Sequence, residues 1–190
     1  MTRIIAGAAR GRRLAVPPGT GTRPTSDRAR EGLFATVTAV HGPLTGAGVL
    51  DLYAGSGAVG LEALSRGAAR AVLVESDPAV ARVIRANITA AGLPGARLVT
   101  GRVAAVLGRG PGDGPAFDVA IADPPYATAA QEITAMLTAL LAGGWLAGGA
   151  LVAVERASRS GPVAWPVGYA PDRSRRYGEA TFWYGLAAGT

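Results

Sequence analysis

Asp123-Pro124-Pro125-Tyr126 brings together a carboxylate, a stiff backbone and an aromatic ring. Two consecutive prolines hold the chain extended and supply no N–H, which leaves their carbonyls to face a cleft. These groups suit one kind of chemistry. An exocyclic amine on a purine or cytosine is a poor nucleophile, because its lone pair is delocalised into the ring. Accepting hydrogen bonds from both of its N–H groups draws the nitrogen toward a tetrahedral shape and aims the lone pair outward. The Asp123 carboxylate and the Pro124 carbonyl are the two acceptors, Pro125 stiffens the loop, and Tyr126 stacks on the base. Transfer of a methyl group to an amine held this way rests mainly on positioning. The product ammonium is acidic enough to lose its proton to water, so Asp123 need not be a strong base.

A second set of residues speaks to the donor of that group. Gly55-Ser56-Gly57-Ala58-Val59-Gly60 fits G-x-G-x-x-G, and Glu75 lies 20 residues beyond Gly55. By itself this is the dinucleotide-binding fingerprint. A dinucleotide, however, brings a pyrophosphate, which favours helix N-terminal amides and no adjacent anion. S-adenosylmethionine brings a sulfonium, an ammonium and one carboxylate. Asp51, four residues before Gly55, suits its positive amino-acid end, and Glu75 suits ribose hydroxyls in either case. The balance favours S-adenosylmethionine, with S-adenosylhomocysteine as product and no metal. A nicotinamide-dependent oxidoreductase is the competing reading. It leaves Asp123-Pro124-Pro125-Tyr126 unexplained and lacks an evident hydride-transfer acid or base.

The elements that must position these residues alternate between strand and helix. Val49–Tyr53 reads as a strand, followed by the glycine turn and a helix to about Arg66. Ala71–Val74 is a second strand ending at Glu75, and Asp77-Pro78 opens a helix to about Ala91. Leu98-Val99 marks a third strand, and Val119–Ala122 a fourth ending at Asp123. A helix spans 131–141, and a fifth strand, Ala150–Val154, ends at Glu155. Near-continuous apolar strands separated by helices predict a parallel sheet covered on both faces. Ligands of such sheets sit at the carboxyl ends of the strands. Four strands end in or abut an acid: Asp51, Glu75, Asp123 and Glu155. The tail Thr181-Phe182-Trp183-Tyr184 has strand composition and predicts antiparallel edge pairing. Upstream, Arg3-Ile4-Ile5 and Arg13-Leu14-Ala15-Val16 predict a small hairpin. Thr25-Ser26-Asp27 caps a helix from about Arg28 to Val40, with Ala29, Leu33, Val37 and Val40 on one face.

The chain has 190 residues, 49% of them hydrophobic and 17% charged, which is the composition of a globular domain with a short extension. No cysteine is present, which excludes disulfides and thiolate metal sites and fits a reducing, cytoplasmic compartment. There is a single histidine, His41, no apolar run of membrane-spanning length and no secretory h-region. All 19 basic residues are arginine, and seven lie in the first 30 residues beside one acid, Asp27. That imbalance equals the whole formal net charge of +6. A basic segment on an otherwise neutral body is the footprint of a polyanion binder.

With these motifs in place the chain resembles the RsmD family. The resemblance runs through Arg3-Ile4-Ile5-Ala6-Gly7, Arg10-Gly11-Arg12, Thr22-Arg23-Pro24-Thr25-Ser26-Asp27-Arg28, Asp51-Leu52-Tyr53-Ala54-Gly55-Ser56-Gly57, the segment 60–68, Asp123-Pro124-Pro125-Tyr126 and Tyr177-Gly178-Glu179. It implies a Rossmann-like class I methyltransferase fold, an α/β domain whose seven-stranded, mostly parallel sheet has an antiparallel C-terminal edge, with a small N-terminal hairpin and helix. It divides the chain into a basic extension, 1–43, and a methyltransferase domain, 44–190. The implied activity is methylation of guanine N2 in 16S rRNA, by a monomer acting on an assembled or partly assembled small ribosomal subunit. Implied cofactor contacts are Asp51, Tyr53, Ala54, Gly55, Ser56, Gly57, Glu75 and Ser76, with Arg23 and Thr25 folding over the cofactor. Arg3, Arg10, Arg12, Arg13 and Arg28 are the implied RNA contacts. The chain departs from the pattern after strand three, where Thr100-Gly101-Arg102-Val103 has no acid for the adenine amino group. Adenine recognition is then expected from the backbone around Arg102 and Val103. Methylation of adenine N6 in DNA or RNA, and a non-catalytic RNA-binding role, stay open on the residues alone.

Overall fold

The computed structural model describes residues 1–18 and 26–189. Its elements in chain order are β1 (Thr2–Arg3), β2 (Arg13–Leu14), α1 (Asp27–His41), β3 (Gly48–Leu52), α2 (Ala58–Ser65), β4 (Arg70–Glu75), α3 (Pro78–Ala91), β5 (Ala96–Thr100), α4 (Val103–Leu107), β6 (Phe117–Ala122), α5 (Ala130–Ala142), β7 (Leu146–Ala157), β8 (Tyr169–Tyr177) and β9 (Ala180–Ala187). A seven-stranded sheet has the order β5-β4-β3-β6-β7-β9-β8. Its first five members are parallel, whereas β9 runs antiparallel to both β7 and β8. β1 and β2 form a separate antiparallel pair. No helix among the described residues is long and apolar enough to cross a membrane.

Strand alternation explains the two-sided cover. Val49, Leu73, Val119, Ile121, Leu151 and Ala153 lie in one buried cluster with Leu33, Phe34 and Val37 of α1, Leu61 of α2 and Ile84 of α3. Their strand neighbours Leu50, Leu52, Val72, Val74, Val152 and Val154 lie in a second cluster with Leu137 and Leu140 of α5 and Val106 of α4. Successive side chains of each strand therefore face opposite helical layers, as period-two geometry requires. Ser26 caps α1 through its side-chain acceptor for the Ala29 N–H, and Asp77 caps α3 with Pro78 at the first helical position.

One expectation needs correction, and two elements carried no signal in the sequence. The fifth parallel strand does not end at Glu155: β7 runs to Ala157, so Glu155 lies inside it. The tail pairs antiparallel at the sheet edge as expected, as a hairpin of β8 and β9, and β8 carries no strand pattern in the sequence. Residues 170–176 are all exposed, so no apolar alternation marks them. Pro171 fits there because β8 is an edge strand with a register shift beside it. The short helix α4 follows Arg102 directly and was likewise not foreseen.

The N-terminal extension is packed onto the sheet layer. Ile4, Ala9 and Leu14 belong to the same cluster as α1, α2 and the strands. The anchor is Glu62 of α2, which is fully buried. Its carboxylate accepts the Ile5 N–H at 2.6 Å, the Ala6 N–H at 3.0 Å and the Arg66 Nε–H at 2.8 Å. Arg30, 1% exposed, lies 3.9 Å from Glu62, pairs with Asp27 at 2.9 Å and donates to the Arg3 carbonyl at 2.6 Å. Arg30 thus belongs to the interior, and the count of N-terminal arginines facing a polyanion is one smaller than the sequence indicates. Gly7 completes the junction: a Cβ there would stand 1.7 Å from the Ser65 carbonyl oxygen. Replacing Glu62 with Ala strands two amides and the Arg66 guanidinium and removes a nearby anion from Arg30, at an expected cost of about 3 kcal/mol or more. Denaturant unfolding of Glu62→Ala against the parent chain checks this, and a loss below about 1 kcal/mol would contradict the anchoring role.

Candidate active site

The glycine turn joins β3 to α2 above the centre of the sheet. Asp51 is 3% exposed and, by alternation, faces the α2 layer. Its Oδ2 accepts the Gly60 N–H at 2.8 Å, within the first turn of α2. A carboxylate there also meets the positive end of the helix dipole. Gly60 is required for this approach, since a Cβ would lie 2.9 Å from Leu73 and 3.2 Å from the Asp51 oxygen. Gly57, at φ +78°, sits equally close to Leu73. Tyr53 is half-buried and is the one non-glycine residue with positive φ (61°) among the described residues. It stands at the mouth of the turn, where backbone strain is commonly held for a ligand. Ala54 is pinned by its N–H to the Val74 carbonyl at 2.9 Å, and Ser56 accepts from Asn87 at 2.8 Å.

Glu75, the last residue of β4, clasps two loops. One oxygen accepts the Gly55 N–H at 3.1 Å, and the other accepts the Ser76 and Asp77 N–H groups at 2.7 and 2.9 Å. Burial, above all, pushes the Asp51 carboxyl up to about 7, against the Gly60 bond; the charges of Asp123 and Glu75 push it the same way. The strand-end acids therefore converge, and their shared field is negative. A pyrophosphate would be repelled from it, whereas a ligand bearing a sulfonium and an ammonium is drawn in. The site fits S-adenosylmethionine and not a dinucleotide.

Asp123 leaves β6 with its N–H directed to the Leu52 carbonyl at 3.3 Å, placing it beside the end of β3. Pro124 is buried, Pro125 and Tyr126 are exposed, and the Pro125 carbonyl closes the loop by accepting the Thr128 N–H at 2.8 Å. Tyr126, 46% exposed, donates its hydroxyl to Glu155 at 3.4 Å. Its phenol is pushed up to about 12, first by burial and then by the charges of Glu155, Asp123 and Glu179. The ring thus stays neutral, ringed by three carboxylates. It forms one wall of a cleft of about 420 Å³ whose other walls include Arg28, Glu155, Arg176, Tyr177 and Glu179.

Of the expected RNA contacts, Arg28 alone lines this cleft. Arg10 and Arg13 are exposed on the N-terminal hairpin. Arg12 is partly committed to structure, donating to the Ala90 carbonyl at 2.7 Å near the end of α3. Arg3 pairs with Asp27 at 3.4 Å. Arg102 is exposed ahead of α4 and Val103 is buried in the second core cluster. The Gly101 N–H bonds the Glu75 carbonyl at 2.8 Å, so this turn adjoins the end of β4. Arg23 and Thr25 lie outside the described residues. Glu155 was marked in the sequence as a strand-end acid, but the cleft residues Arg176 and Glu179 were given no role. The one signal for them was Tyr177-Gly178-Glu179, a glycine-containing turn between two strand-forming runs.

Comparison with known proteins places this architecture. The family described as Conserved hypothetical protein 95 matches residues 2–185. The chain belongs to this family. Ribosomal RNA small subunit methyltransferase D of Escherichia coli K12 is 38% identical over 95% of the chain and 87% of its own length. The protein of the same name from Haemophilus influenzae is 36% identical over 80% of the chain and 77% of its length. Among solved structures, Escherichia coli yhhF superposes with a TM-score of 0.84 at 35% identity, covering 100% of the chain and 99% of that structure. The protein SMU.776, solved with S-adenosylhomocysteine, shares the fold alone, at 14% identity and a TM-score of 0.65 over 82% of the chain and 50% of its own. The resemblance read from the motifs is that of the family, and the Rossmann-like methyltransferase fold, mostly parallel with an antiparallel edge, is present.

The raised Asp51 carboxyl makes a stability prediction. The folded state holds this proton up to about pH 7, whereas the unfolded chain releases it near the ordinary aspartate value of 3.8. Between those values the folded state binds more protons, so this group's contribution to stability falls as pH rises, by at most about 1.4 kcal/mol per pH unit. Unfolding free energies of Asp51→Asn and the parent chain, measured at pH 5 and pH 7, should show the parent losing more stability over that interval. Equal pH dependence would contradict it.

Proposed function

We propose that this chain transfers a methyl group from S-adenosylmethionine to the exocyclic N2 of a guanine in 16S rRNA, acting as a monomer on the assembled or partly assembled small ribosomal subunit. The observation that carries the reading is the position of Asp123-Pro124-Pro125-Tyr126, which follows β6 beside the end of β3 and sets Tyr126 on the wall of the 420 Å³ cleft. Membership of a family whose relatives are named small subunit rRNA methyltransferases supports an rRNA substrate.

When bound, S-adenosylmethionine supplies an electrophilic methyl on a sulfonium. Asp51, Tyr53, Ala54, Gly55, Ser56 and Gly57 would hold its amino-acid end, Glu75 and Ser76 its ribose, and Arg102 and Val103 its adenine. The rest belongs to the chain's own groups. The Asp123 carboxylate and the Pro124 carbonyl accept the two N–H groups of the target amine and turn its lone pair outward. Tyr126 stacks on the base, its tilt fixed by the bond to Glu155. Because its phenol is held neutral, it donates to Glu155 throughout the physiological range. Arg3, Arg10, Arg12, Arg13 and Arg28 offer cations to phosphates.

Two measurements test this. Labelled S-adenosylmethionine is incubated with small subunits lacking the modification, and the RNA is digested to nucleosides. N2-methylguanosine is expected; N6-methyladenosine would redirect the assignment, and no label would revive a binding role. Asp123→Ala should lower turnover by about a hundredfold or more, with cofactor affinity by calorimetry nearly unchanged. Separately, replacing Arg10 and Arg13 with Ala should weaken subunit binding and lower the slope of log affinity against log salt by about 2. An unchanged slope would remove those residues from the interface.

A further inference from the structure

The cleft contains a carboxylate that amine activation does not use. Glu179 occupies the two-residue turn between β8 and β9, since Tyr177 and Ala180 are the last paired residues on either side. The turn is buttressed from three directions. The Ser158 N–H donates to the Glu179 carbonyl at 2.7 Å, and the Ser158 hydroxyl donates to the Gly178 carbonyl at 3.3 Å. The Arg176 Nε–H donates to the same Gly178 carbonyl at 2.9 Å. Tyr177 presses its ring onto α1 at Gly32, where a Cβ would meet the hydroxyl at 2.2 Å. A charged side chain on so firmly held a turn is well placed to read a ligand's edge, because its backbone loses little freedom on binding.

The cleft's size and lining fit a nucleotide. Its volume lies in the roughly 300–1,000 Å³ range of small-molecule sites. It pairs an aromatic face, Tyr126, with cations at Arg28 and Arg176 and with carboxylates at Glu155 and Glu179. Guanine and adenine differ along the edge that carries N1. Beside its 2-amine, guanine presents N1–H, a donor; adenine presents a lone pair at N1 and no 2-amine. With N2 held at Asp123 and Pro124, the next atom along the edge is N1, and it needs an acceptor. Glu155 is 4% exposed and receives the Tyr126 hydroxyl, so its part is to orient the ring. Glu179 is exposed on the cleft wall, and its charge reaches the same ring.

We propose that Glu179 selects guanine in this cleft by accepting the N1–H of the target base, while Arg28 and Arg176 neutralise the phosphates beside it. The inference rests on the guanine-N2 reading given above. A carboxylate facing N1–H forms a charge-assisted bond, and facing an N1 lone pair it repels. Glu179 therefore both attracts guanine and rejects bases without that proton.

The test compares two RNAs in otherwise identical subunits, one with guanine at the target position and one with 2-aminopurine. The analogue keeps the 2-amine but has a lone pair at N1. The parent chain should prefer guanine in kcat/KM by about a hundredfold or more. Glu179→Gln, whose amide can donate to N1, should lose about tenfold on guanine, gain on 2-aminopurine and so narrow the preference. Glu179→Asp, which keeps the charge, should retain it. A merely structural turn residue would lower both substrates together and leave their ratio unchanged, and that result overturns the assignment even if the Gln variant is poorly folded. A parent chain active on guanine with no preference over 2-aminopurine overturns this inference alone. A parent chain that methylates neither RNA overturns the proposed function and this inference with it.

Discussion

Glu62 is a charged residue in the interior of α2, and both of its oxygens are engaged by groups from elsewhere. Two backbone amides of the N-terminal segment and the Arg66 side chain bond to it, and Arg30 of α1 lies beside it. A buried carboxylate is costly to desolvate, and the cost is met only because every neighbour is a donor or a cation. Its consequence is geometric. The hairpin, α1 and α2 are fixed to one another, so the start of α1 stands over the C-terminal side of the sheet. That brings Arg28 to the wall of the same cleft as Tyr126, although nearly 100 residues separate them.

The second organising feature is the convergence of acids at the carboxyl ends of the strands. Asp51 and Glu75 each serve the local structure first, one under α2 and one between two loops. Asp123 adds its charge to theirs on one side and to that of Glu155 and Glu179 around Tyr126 on the other. One carboxylate therefore belongs to both halves of the site, the half suited to a cationic cofactor and the half suited to an amine-bearing base. Burial first, and then the charges of Asp123 and Glu75, make Asp51 hold its proton tightly; that negative field disfavours a pyrophosphate, although the glycine spacing alone would admit one.

The antiparallel edge completes the cleft. β9 carries Phe182 and Tyr184 into the core, and β8 pairs outside it with an almost wholly exposed, arginine-rich surface. The hairpin's tight turn is pinned to the end of β7 by Ser158 and to α1 through Tyr177. The sheet thus supplies the glycine turn and the strand-end acids from its parallel half and a wall of the cleft from its antiparallel half.

The sequence by itself determined the parallel core, because buried strands must be apolar on both faces and their lengths and glycine punctuation leave little choice. It also determined the acids at the strand ends and the proline-stiffened loop, since those are local patterns. It could not determine β8, whose exposed edge position removes the alternation by which strands are recognised, nor the extension of β7 past Glu155. It counted Arg30 as surface charge, because burial of an arginine depends on partners at Asp27 and Glu62 that only folding brings near. Above all, the cleft was decided by tertiary structure. Arg28, Tyr126, Glu155 and Glu179 come from four separate parts of the chain, and no spacing rule links them. They meet because a buried carboxylate anchors the N-terminal extension and an antiparallel hairpin returns to the edge of the sheet.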